Sequence, residues 1–227
     1  MKNVKVILWG LGAMGGGIGK MLTKKKGVDI VGAIDIGDKI GKSLYDVVPG
    51  IVKGDREDVI VGTPEEVIKP GAADIVVVCT NSFTKDVFDK LVFVMERGMN
   101  VITSAEEMAY PQAQEPELAK KLDEIAKKNG VSVMGTGINP GLIMDLLVVL
   151  WTAACEEVNH VTSRRVNSLS PFGPAVMEEQ GIGISVEEFN ERKANGTMAG
   201  HVGFAESTMM ICDALGWKWD DFGQDME

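Results

Sequence analysis

Cysteine is scarce in this chain of 227 residues, and its three copies, Cys79, Cys155 and Cys212, are widely spaced. No CxxC pair and no Cys/His ligand spacing occurs, so the sequence supports neither a disulfide framework nor a zinc site. Long apolar runs are also missing, because the longest one, from Gly141 onward, is interrupted by Asp145 and is too short to span a bilayer. The first residues lead directly into an apolar strand pattern without signal-peptide character. We therefore expect a reduced, cytoplasmic protein with no metal centre and no membrane partner.

Positive charge is in short supply as well. The chain has 23 Lys and Arg residues against 33 Asp and Glu residues, which gives a formal net charge of -10. Nucleic-acid binding needs clustered basic side chains that neutralise phosphates, so no nucleic-acid partner is expected. The hydrophobic fraction of 45% and the charged fraction of 25% are ordinary for a globular protein. A chain of this length can bury a substantial core without covalent cross-links.

Apolar runs of strand length alternate with helical patterns over the first 135 residues. The runs are continuous rather than alternating, which is typical of strands that are buried on both faces in a parallel sheet. They cover residues 4–9, 28–34, 59–61, 74–79, 100–103 and 131–134, and helical patterns cover residues 14–25, 82–97 and 115–128. With right-handed crossovers, this order predicts an α/β fold whose N-terminal domain, residues 1–138, is a doubly wound parallel Rossmann domain.

The pattern changes after residue 138. We predict an apolar helix over residues 142–154, a strand of an open sheet over residues 158–169, and helices that begin near residues 185 and 204. A Gly- and Pro-bearing loop at residues 171–183 has the length of a functional or disordered loop, and we expect it to close over substrate. Residues 139–227 are thus predicted to form a C-terminal α+β domain, an open sheet plus helices, for substrate binding and oligomerisation. Open sheets need covering, which favours a homodimer.

A glycine motif, Gly10-x-Gly12-x-x-Gly15, lies between the first predicted strand and the first helix. In the dinucleotide-binding fingerprint, the first glycine permits a tight turn, the second lets the backbone approach a pyrophosphate, and the third lets helix and strand pack closely. Ala13 and Met14 then fall at the helix N-terminus, where free N–H groups face the anion. The alternative is a glycine turn for packing alone, but the complete strand–turn–helix context favours cofactor binding.

Asp35 ends the second predicted strand, at the position where a Rossmann acidic residue accepts hydrogen bonds from the adenosine ribose hydroxyls. A carboxylate there repels a 2′-phosphate, and no arginine follows it, so NAD is the favoured cofactor. Lys39 and Lys42 are close in sequence and leave NADP open.

Small and hydroxyl residues follow the fourth and fifth strands, where a Rossmann domain places its ligand. Thr80, Asn81 and Ser104 are therefore candidates for contact with the nicotinamide half of the cofactor. The competing interpretation is that these residues serve turns and caps.

Four long segments carry a family resemblance: "ITSAEEMAYPQAQEPEL", "GTGINPGLIMDLL", "RRVNSLSPFGPAVMEEQGIG" and "AGHVGFAES". With them the chain closely resembles the 2,4-diaminopentanoate dehydrogenase family, Rossmann oxidoreductases similar to dihydrodipicolinate reductase and to native amine dehydrogenases. The resemblance implies NAD(P)-dependent oxidative deamination of 2,4-diaminopentanoate to 2-amino-4-oxopentanoate and ammonium, in ornithine degradation. It also implies a longer chain, so we expect the C-terminal domain to be truncated.

The resemblance also implies a catalytic glutamate after the fifth strand, where Glu106 and Glu107 are adjacent. An ammonium has no lone pair to expel a hydride, so a base beside the nicotinamide must first remove a proton. A carboxylate can take it, stabilise the iminium cation and then guide water to the iminium carbon. We favour Glu106 over Glu107 as the base. The alternative is that both are solvated or help to cap the next helix.

Further candidates come from residues 139–201. Arg164 and Arg165 lie on the predicted strand, where alternation sends one to each face, and one could bind the substrate carboxylate. Asn139 precedes a proline like a helix N-cap and also adjoins the nicotinamide site. Asp145 is expected to pair with an arginine or to bind the second ammonium, and His201 is the better functional candidate of the two histidines.

Two other functions remain open. One is imine reduction like that of dihydrodipicolinate reductase, although the required histidine pair with a nearby lysine is not found in the second part of the chain. The other is a non-catalytic module that senses NAD.

Overall fold

A single parallel sheet organises the N-terminal part of the molecule. The computed structural model describes residues 2–170, 177–178, 180–198 and 200–227. The sheet has six strands in the order β3-β2-β1-β4-β5-β6, and every neighbouring pair is parallel. The strands are β1 (Val4–Trp9), β2 (Val28–Ile34), β3 (Val61–Gly62), β4 (Ile75–Val78), β5 (Asn100–Thr103) and β6 (Val133–Gly135). This order confirms the doubly wound Rossmann arrangement and the α/β class predicted from the sequence.

Eight helices are described around and beyond the sheet. They are α1 (Ala13–Leu22), α2 (Leu44–Val47), α3 (Pro64–Val67), α4 (Thr84–Met95), α5 (Pro116–Asn129), α6 (Leu146–Thr152), α7 (Val186–Ala194) and α8 (Phe204–Leu215). No helix within the described ranges has the length and apolar character that a bilayer span requires.

The core lies on both faces of the sheet. Ile7 and Val76 belong to one buried cluster with Leu91 of α4, whereas their chain neighbours Leu8 and Val77 belong to a second cluster on the opposite face. Successive strand residues point to opposite faces, so a strand covered on both sides must be apolar at every position. This is why the strands appear as continuous apolar runs in the sequence.

The first helix after the sheet is shorter than predicted. Helix α6 covers Leu146–Thr152 rather than residues 142–154, and its N-cap is Asp145 rather than Asn139. Gly141 has a φ of +120°, which a helical residue cannot adopt, so the helix can begin only after it. The Asp145 carboxylate accepts the Leu146 N–H at 2.6 Å and supplies the cap. The prediction that Asp145 lies within the helix is therefore wrong.

The predicted strand over residues 158–169 is also wrong, because residues 156–169 carry no strand or helix. A strand needs a neighbour to pair its backbone groups, and the described residues after β6 contain no strand. The described C-terminal part is accordingly helical, and the predicted open sheet is not found in it. Of the predicted substrate-closing loop, the structure describes only residues 177, 178 and 180–183, so that prediction falls largely outside the described residues.

Candidate active site

The three glycines of the fingerprint occupy different environments. Gly10 has a φ of +95°, and a Cβ there would lie 2.5 Å from the Cys79 carbonyl oxygen. A Cβ on Gly15 would lie 1.7 Å from the Gly10 oxygen. Both glycines are thus required by the packing of the turn itself. A Cβ on Gly12, by contrast, would meet no atom within 4 Å. The packing explanation therefore accounts for Gly10 and Gly15 but leaves Gly12 facing open space, as expected for a residue that a ligand approaches.

The N-terminus of α1 opens onto the same space. Gly12 is the N-cap and supplies no side-chain hydrogen bond, and the first turn contains no acidic residue. Ala13 and Met14 are exposed. The first N–H groups of the helix therefore carry the partial positive charge of the helix dipole without a side chain to satisfy them, which suits a phosphate group.

Asp35 connects the end of β2 to the glycine turn. Its Oδ2 accepts the Leu11 N–H at 2.8 Å and the Lys39 ammonium at 2.8 Å, and its Oδ1 accepts the Ile36 N–H at 2.7 Å. Burial acts to raise the pKa of Asp35, but the hydrogen bonds from Lys39 and the two backbone amides outweigh it and hold the pKa below its ordinary value. A negative charge is thus fixed at the edge of the predicted adenosine site.

A half-buried lysine orders the segment that follows β4. Lys90 of α4 donates to Thr80 Oγ1 at 3.0 Å and to Asn81 Oδ1 at 2.6 Å. Because Lys90 binds the amide oxygen, the Asn81 NH₂ group faces away from it and is available as a donor. The Ser104 N–H donates to the Val78 oxygen at 3.1 Å, which keeps Ser104 at the same edge of the sheet.

The two adjacent glutamates have different roles. The buried Glu107 accepts the Thr84 N–H at 2.7 Å, and its own N–H donates to the Ser82 oxygen at 3.1 Å. Phe83, the N-cap of α4, provides no side-chain cap, so Glu107 caps this helix from a distance. Capping was the predicted alternative to catalysis, but the capped helix is the preceding one rather than the next. The Glu107 carboxylate therefore has a structural role, as the cap of α4.

Glu106 begins a 3-10 turn, Glu106–Ala109, and is half-buried. Burial lowers the pKa of His201, the Arg165 guanidinium lowers it further, and the Glu106 carboxylate acts in the opposite direction. The three side chains are therefore close enough to interact electrostatically. His201 Nε2 also lies 3.2 Å from Asn139 Nδ2, and the His201 ring packs against Phe204 with centroids 4.5 Å apart. The structure thus brings Glu106, Asn139, Arg165 and His201 into one region.

Two predicted substrate residues lie elsewhere. Asp145 is completely buried and accepts hydrogen bonds from the Gly141 N–H at 2.7 Å, the Leu146 N–H at 2.6 Å and Ser207 Oγ at 2.8 Å. These donors occupy the carboxylate, and no arginine pairs with it within the described residues, so the expected arginine pair is wrong, whereas binding of the second ammonium by Asp145 stays a prediction. Arg164 is exposed and lines a cavity of about 610 Å³ beside α6.

The turn that carries Glu106 lies directly on the end of β6. A Cβ on Gly135 would lie 1.8 Å from the Met108 carbonyl oxygen, so only glycine permits this contact. The other side of the same segment contacts α8, where Tyr110 Oη donates to Asp213 Oδ2 at 2.5 Å. The sequence reasoning missed Lys90 and the α8 contacts. The α8 contacts alone had a sequence signal, because α8 carries two acidic residues on an otherwise apolar helix.

The described residues contain no group of three or more His, Cys, Asp and Glu side chains arranged to hold a metal ion.

Comparison with known proteins shows which proteins this chain is similar to. Residues 142–227 match the profile described as the 2,4-diaminopentanoate dehydrogenase C-terminal domain. A 2,4-diaminopentanoate dehydrogenase of Acetoanaerobium sticklandii is 66% identical over 218 residues. This chain is a relative of 2,4-diaminopentanoate dehydrogenase. The match covers 96% of this chain and 62% of that dehydrogenase, so the chain spans about three fifths of the length of its relative. The family resemblance expected from the sequence is thereby confirmed.

A solved amine dehydrogenase from Mycobacterium smegmatis has a similar structure. It superposes with a TM-score of 0.68 at 29% identity, over 94% of this chain and 61% of that chain. The similarity to the diaminopentanoate dehydrogenase family and to this amine dehydrogenase extends across both the Rossmann part and the helical part of the chain.

Proposed function

We propose that this chain belongs to an NAD(P)-dependent dehydrogenase that converts 2,4-diaminopentanoate into 2-amino-4-oxopentanoate and ammonium. The relatives named above support a reaction at an amine. The observation that carries the proposal is that two adjacent glutamates have different surroundings. Glu107 caps α4, whereas Glu106 lies with His201 and Arg165 at the carboxyl edge of the sheet, where a Rossmann domain presents its cofactor.

The residues present fit a dinucleotide cofactor. The open space at Gly12 and the unsatisfied N-terminus of α1 suit a pyrophosphate, and Asp35 suits the adenosine ribose. Residues 1–138 would bind this cofactor, and residues 139–227 would contribute to the substrate site. The oxidised nicotinamide would accept a hydride from the carbon that bears the amine.

NAD is the cofactor that the geometry favours. The ionised Asp35 can accept hydrogen bonds from ribose hydroxyls and repels a 2′-phosphate. Lys39 is already engaged with Asp35 and with the Leu11 carbonyl oxygen at 3.3 Å, and Lys42 pairs with Asp38 at 3.2 Å. Both lysines are therefore engaged with other groups and are not positioned to bind a 2′-phosphate.

Glu106 would remove a proton from the substrate ammonium and thereby release the lone pair that drives hydride loss. After that proton has passed to solvent and hydride loss has left an iminium cation, the regenerated carboxylate would stabilise the positive charge and orient the attacking water. Arg165 would bind the substrate carboxylate, because it lies with Glu106 and His201 whereas Arg164 faces another cavity. Asn139 and His201 would add hydrogen bonds. The homodimer and the cytoplasmic location stay predictions.

The test compares Glu106→Gln with Glu117→Gln, an exposed glutamate on α5. NADH formation is followed by absorbance with 2,4-diaminopentanoate, after NADH binding has been measured for each protein. Removal of a general base should lower kcat by roughly 10²- to 10⁴-fold in the first variant, with NADH affinity and the control variant unchanged. Normal turnover by Glu106→Gln would refute the assigned base.

The wild-type protein itself separates the alternatives. Reduction of a cyclic imine without oxidation of any amine would favour the reductase alternative. Binding of NADH without turnover of any amine or imine would favour the sensing module.

A further inference from the structure

Glu206 is a buried acid that the proposed chemistry does not use. It lies in the first turn of α8 and has an exposure of 0%. Its Oε1 accepts a hydrogen bond from Gln114 Nε2 at 2.7 Å, and its Oε2 has no partner among the described residues. Gln114 ends the segment that begins with Glu106. Glu206 therefore connects α8 to the segment that carries the proposed base.

Two further side-chain contacts connect α8 to the segments that follow β5 and β6. Asp213, seven residues after Glu206, lies on the same helix face and accepts the Tyr110 hydroxyl. Ser207 donates to the buried Asp145 at 2.8 Å. Through these side chains, α8 contacts both the segment after β5 and the segment after β6.

The start of α8 completes this arrangement. A Cβ on Gly203, the N-cap of α8, would lie 2.4 Å from Pro140 Cδ, so this end of the helix packs tightly against the residue that follows Asn139. His201 precedes that N-cap by two residues and contacts Asn139. The spacing between Glu106 and the His201–Asn139 pair is therefore set by how α8 holds the segment from residue 106 to residue 114.

We propose that Glu206 is a positioning residue, whose hydrogen bond with Gln114 holds the turn that carries Glu106 in register with His201 and Asn139. This inference rests on the proposed function, in which Glu106 is the base. Glu206 is completely buried, and the proposal assigns it no contact with substrate or cofactor, so it acts through Gln114.

The surroundings of Glu206 favour its uncharged form. The acidic groups around it are Glu107 on the 3-10 turn, Asp213 on its own helix, which binds Tyr110, and Asp145, which binds Ser207. No ion pair with Lys or Arg is found for Glu206 within the described residues, and Lys85 pairs with Glu115 instead. Burial raises the pKa of Glu206, and Glu107 raises it further, against the lowering effect of Gln114 and the backbone N–H.

The raised pKa of Glu206 determines how the stability of the fold changes with pH. A group whose folded-state pKa lies above its unfolded value contributes stability that is fully present below the unfolded value, about 4.3 for glutamate. That contribution is lost as the pH rises through the folded-state pKa, because an ionised Glu206 would be buried beside Glu107. The hydrogen bond from Gln114 itself favours the ionised form, so this loss of stability comes from the buried charge and not from a weaker contact.

Two substitutions distinguish positioning from simple packing. Glu206→Gln keeps the shape and stays neutral, and we expect its kcat to remain within about threefold of the wild-type value. Glu206→Leu keeps the volume but cannot bind Gln114. Small displacements of a catalytic group are costly, so its kcat should fall by roughly 10- to 100-fold, whereas KM for NAD and the affinity for NADH stay unchanged.

Gln114→Ala should reproduce the loss of Glu206→Leu, and the double variant should show no further loss, because the two residues act through one contact. Glu117→Gln is the control. Equal kcat values for wild type and Glu206→Leu would overturn the proposal, as would a Glu206→Gln variant that is as impaired as Glu206→Leu.

A second readout does not depend on turnover. Backbone amides in residues 106–115 should exchange hydrogen faster in Glu206→Leu than in wild type, while those of β1 and β2 stay unchanged. The melting temperature of Glu206→Gln should exceed that of wild type by an amount that grows as the pH rises above the unfolded glutamate pKa of about 4.3. If the wild-type protein oxidises no amine, the proposed function fails while exchange still tests the positioning role. Unchanged exchange in residues 106–115 would overturn that role directly.

Discussion

Gly12→Ala should separate cofactor binding from folding. At Gly12 the backbone has φ -76° and ψ -160°, which alanine adopts without strain, and the new Cβ would meet no atom within 4 Å. A Gly-to-Ala change at such a position stabilises by about 0.4–1 kcal/mol through the unfolded state. Alanine is the poorer N-cap, which costs roughly the same amount. We therefore expect the melting temperature to change by no more than about 4 °C.

The affinity for NADH should respond differently. In the proposed complex the pyrophosphate fills the space that the new methyl group would occupy. Forcing an extra methyl group into a packed contact costs roughly 1–3 kcal/mol, which corresponds to a loss of affinity of about 5- to 150-fold. The dissociation constant can be measured by NADH fluorescence titration and the melting temperature by calorimetry.

Gly17→Ala is the matched control. Gly17 lies in α1, two residues beyond the fingerprint, and a Cβ there would also meet nothing within 4 Å. Its replacement should stabilise the helix by about 1 kcal/mol and leave NADH affinity unchanged. Gly15→Ala should instead destabilise the fold, because its Cβ would overlap the Gly10 oxygen. If Gly12→Ala binds NADH as tightly as the wild type, the glycine turn does not hold the pyrophosphate.

The remaining predictions concern side chains around the site. Asp35→Asn should weaken NADH binding and raise the affinity for NADPH relative to NADH, as fluorescence titration with both cofactors would show. Lys90→Met removes two hydrogen bonds that order the segment after β4, so NADH affinity should fall by roughly 5- to 150-fold while unfolding in urea changes little. Glu107→Gln weakens the cap on the Thr84 N–H and should lower the free energy of unfolding by about 1–2 kcal/mol. Burial and Asp213 raise the pKa of Tyr110 to about 12, so ultraviolet titration should show a tyrosine step there that Tyr110→Phe removes.

Two of these predictions, those for Lys90 and Tyr110, have outcomes that would contradict them directly. A Lys90→Met variant with wild-type NADH affinity would show that the orientation of Asn81 is irrelevant to the cofactor. The stability that Tyr110 gains from Asp213 is present below the ordinary tyrosine pKa of about 10 and should disappear as the pH rises through 12. Loss of that stability near neutral pH would point to another group.

The strands and the glycine turn could be predicted because their signals are local. Burial on both faces forces Val6–Trp9 of β1 and all of β4 to be apolar, and the packing of Gly10 and Gly15 leaves no room for a side chain. The choice between Glu106 and Glu107 could not be settled in this way. It depends on the Thr84 N–H, which is 23 positions away in the sequence and reaches Glu107 only in the folded chain.

The errors after residue 138 have a similar origin. Asn139 and Asp145 are both good N-cap residues, and the positive φ of Gly141 decides between them. The alternating pattern at residues 158–169 is compatible with a strand, but no described strand lies beside it to pair its backbone. Partners in space, rather than preferences in sequence, determine these elements.

The contact between Gly135 and the Met108 carbonyl limits how the substrate range of such a protein could be redesigned. Position 135 sits at the end of β6, near the proposed substrate site, and would be a natural choice for randomisation in a mutant library. Every replacement there must push against main chain at 1.8 Å and so lift the whole acid-bearing turn. Variants chosen to enlarge the pocket at position 135 would therefore also displace the proposed base. Substitutions that change the substrate range should be made at positions that already carry a side chain.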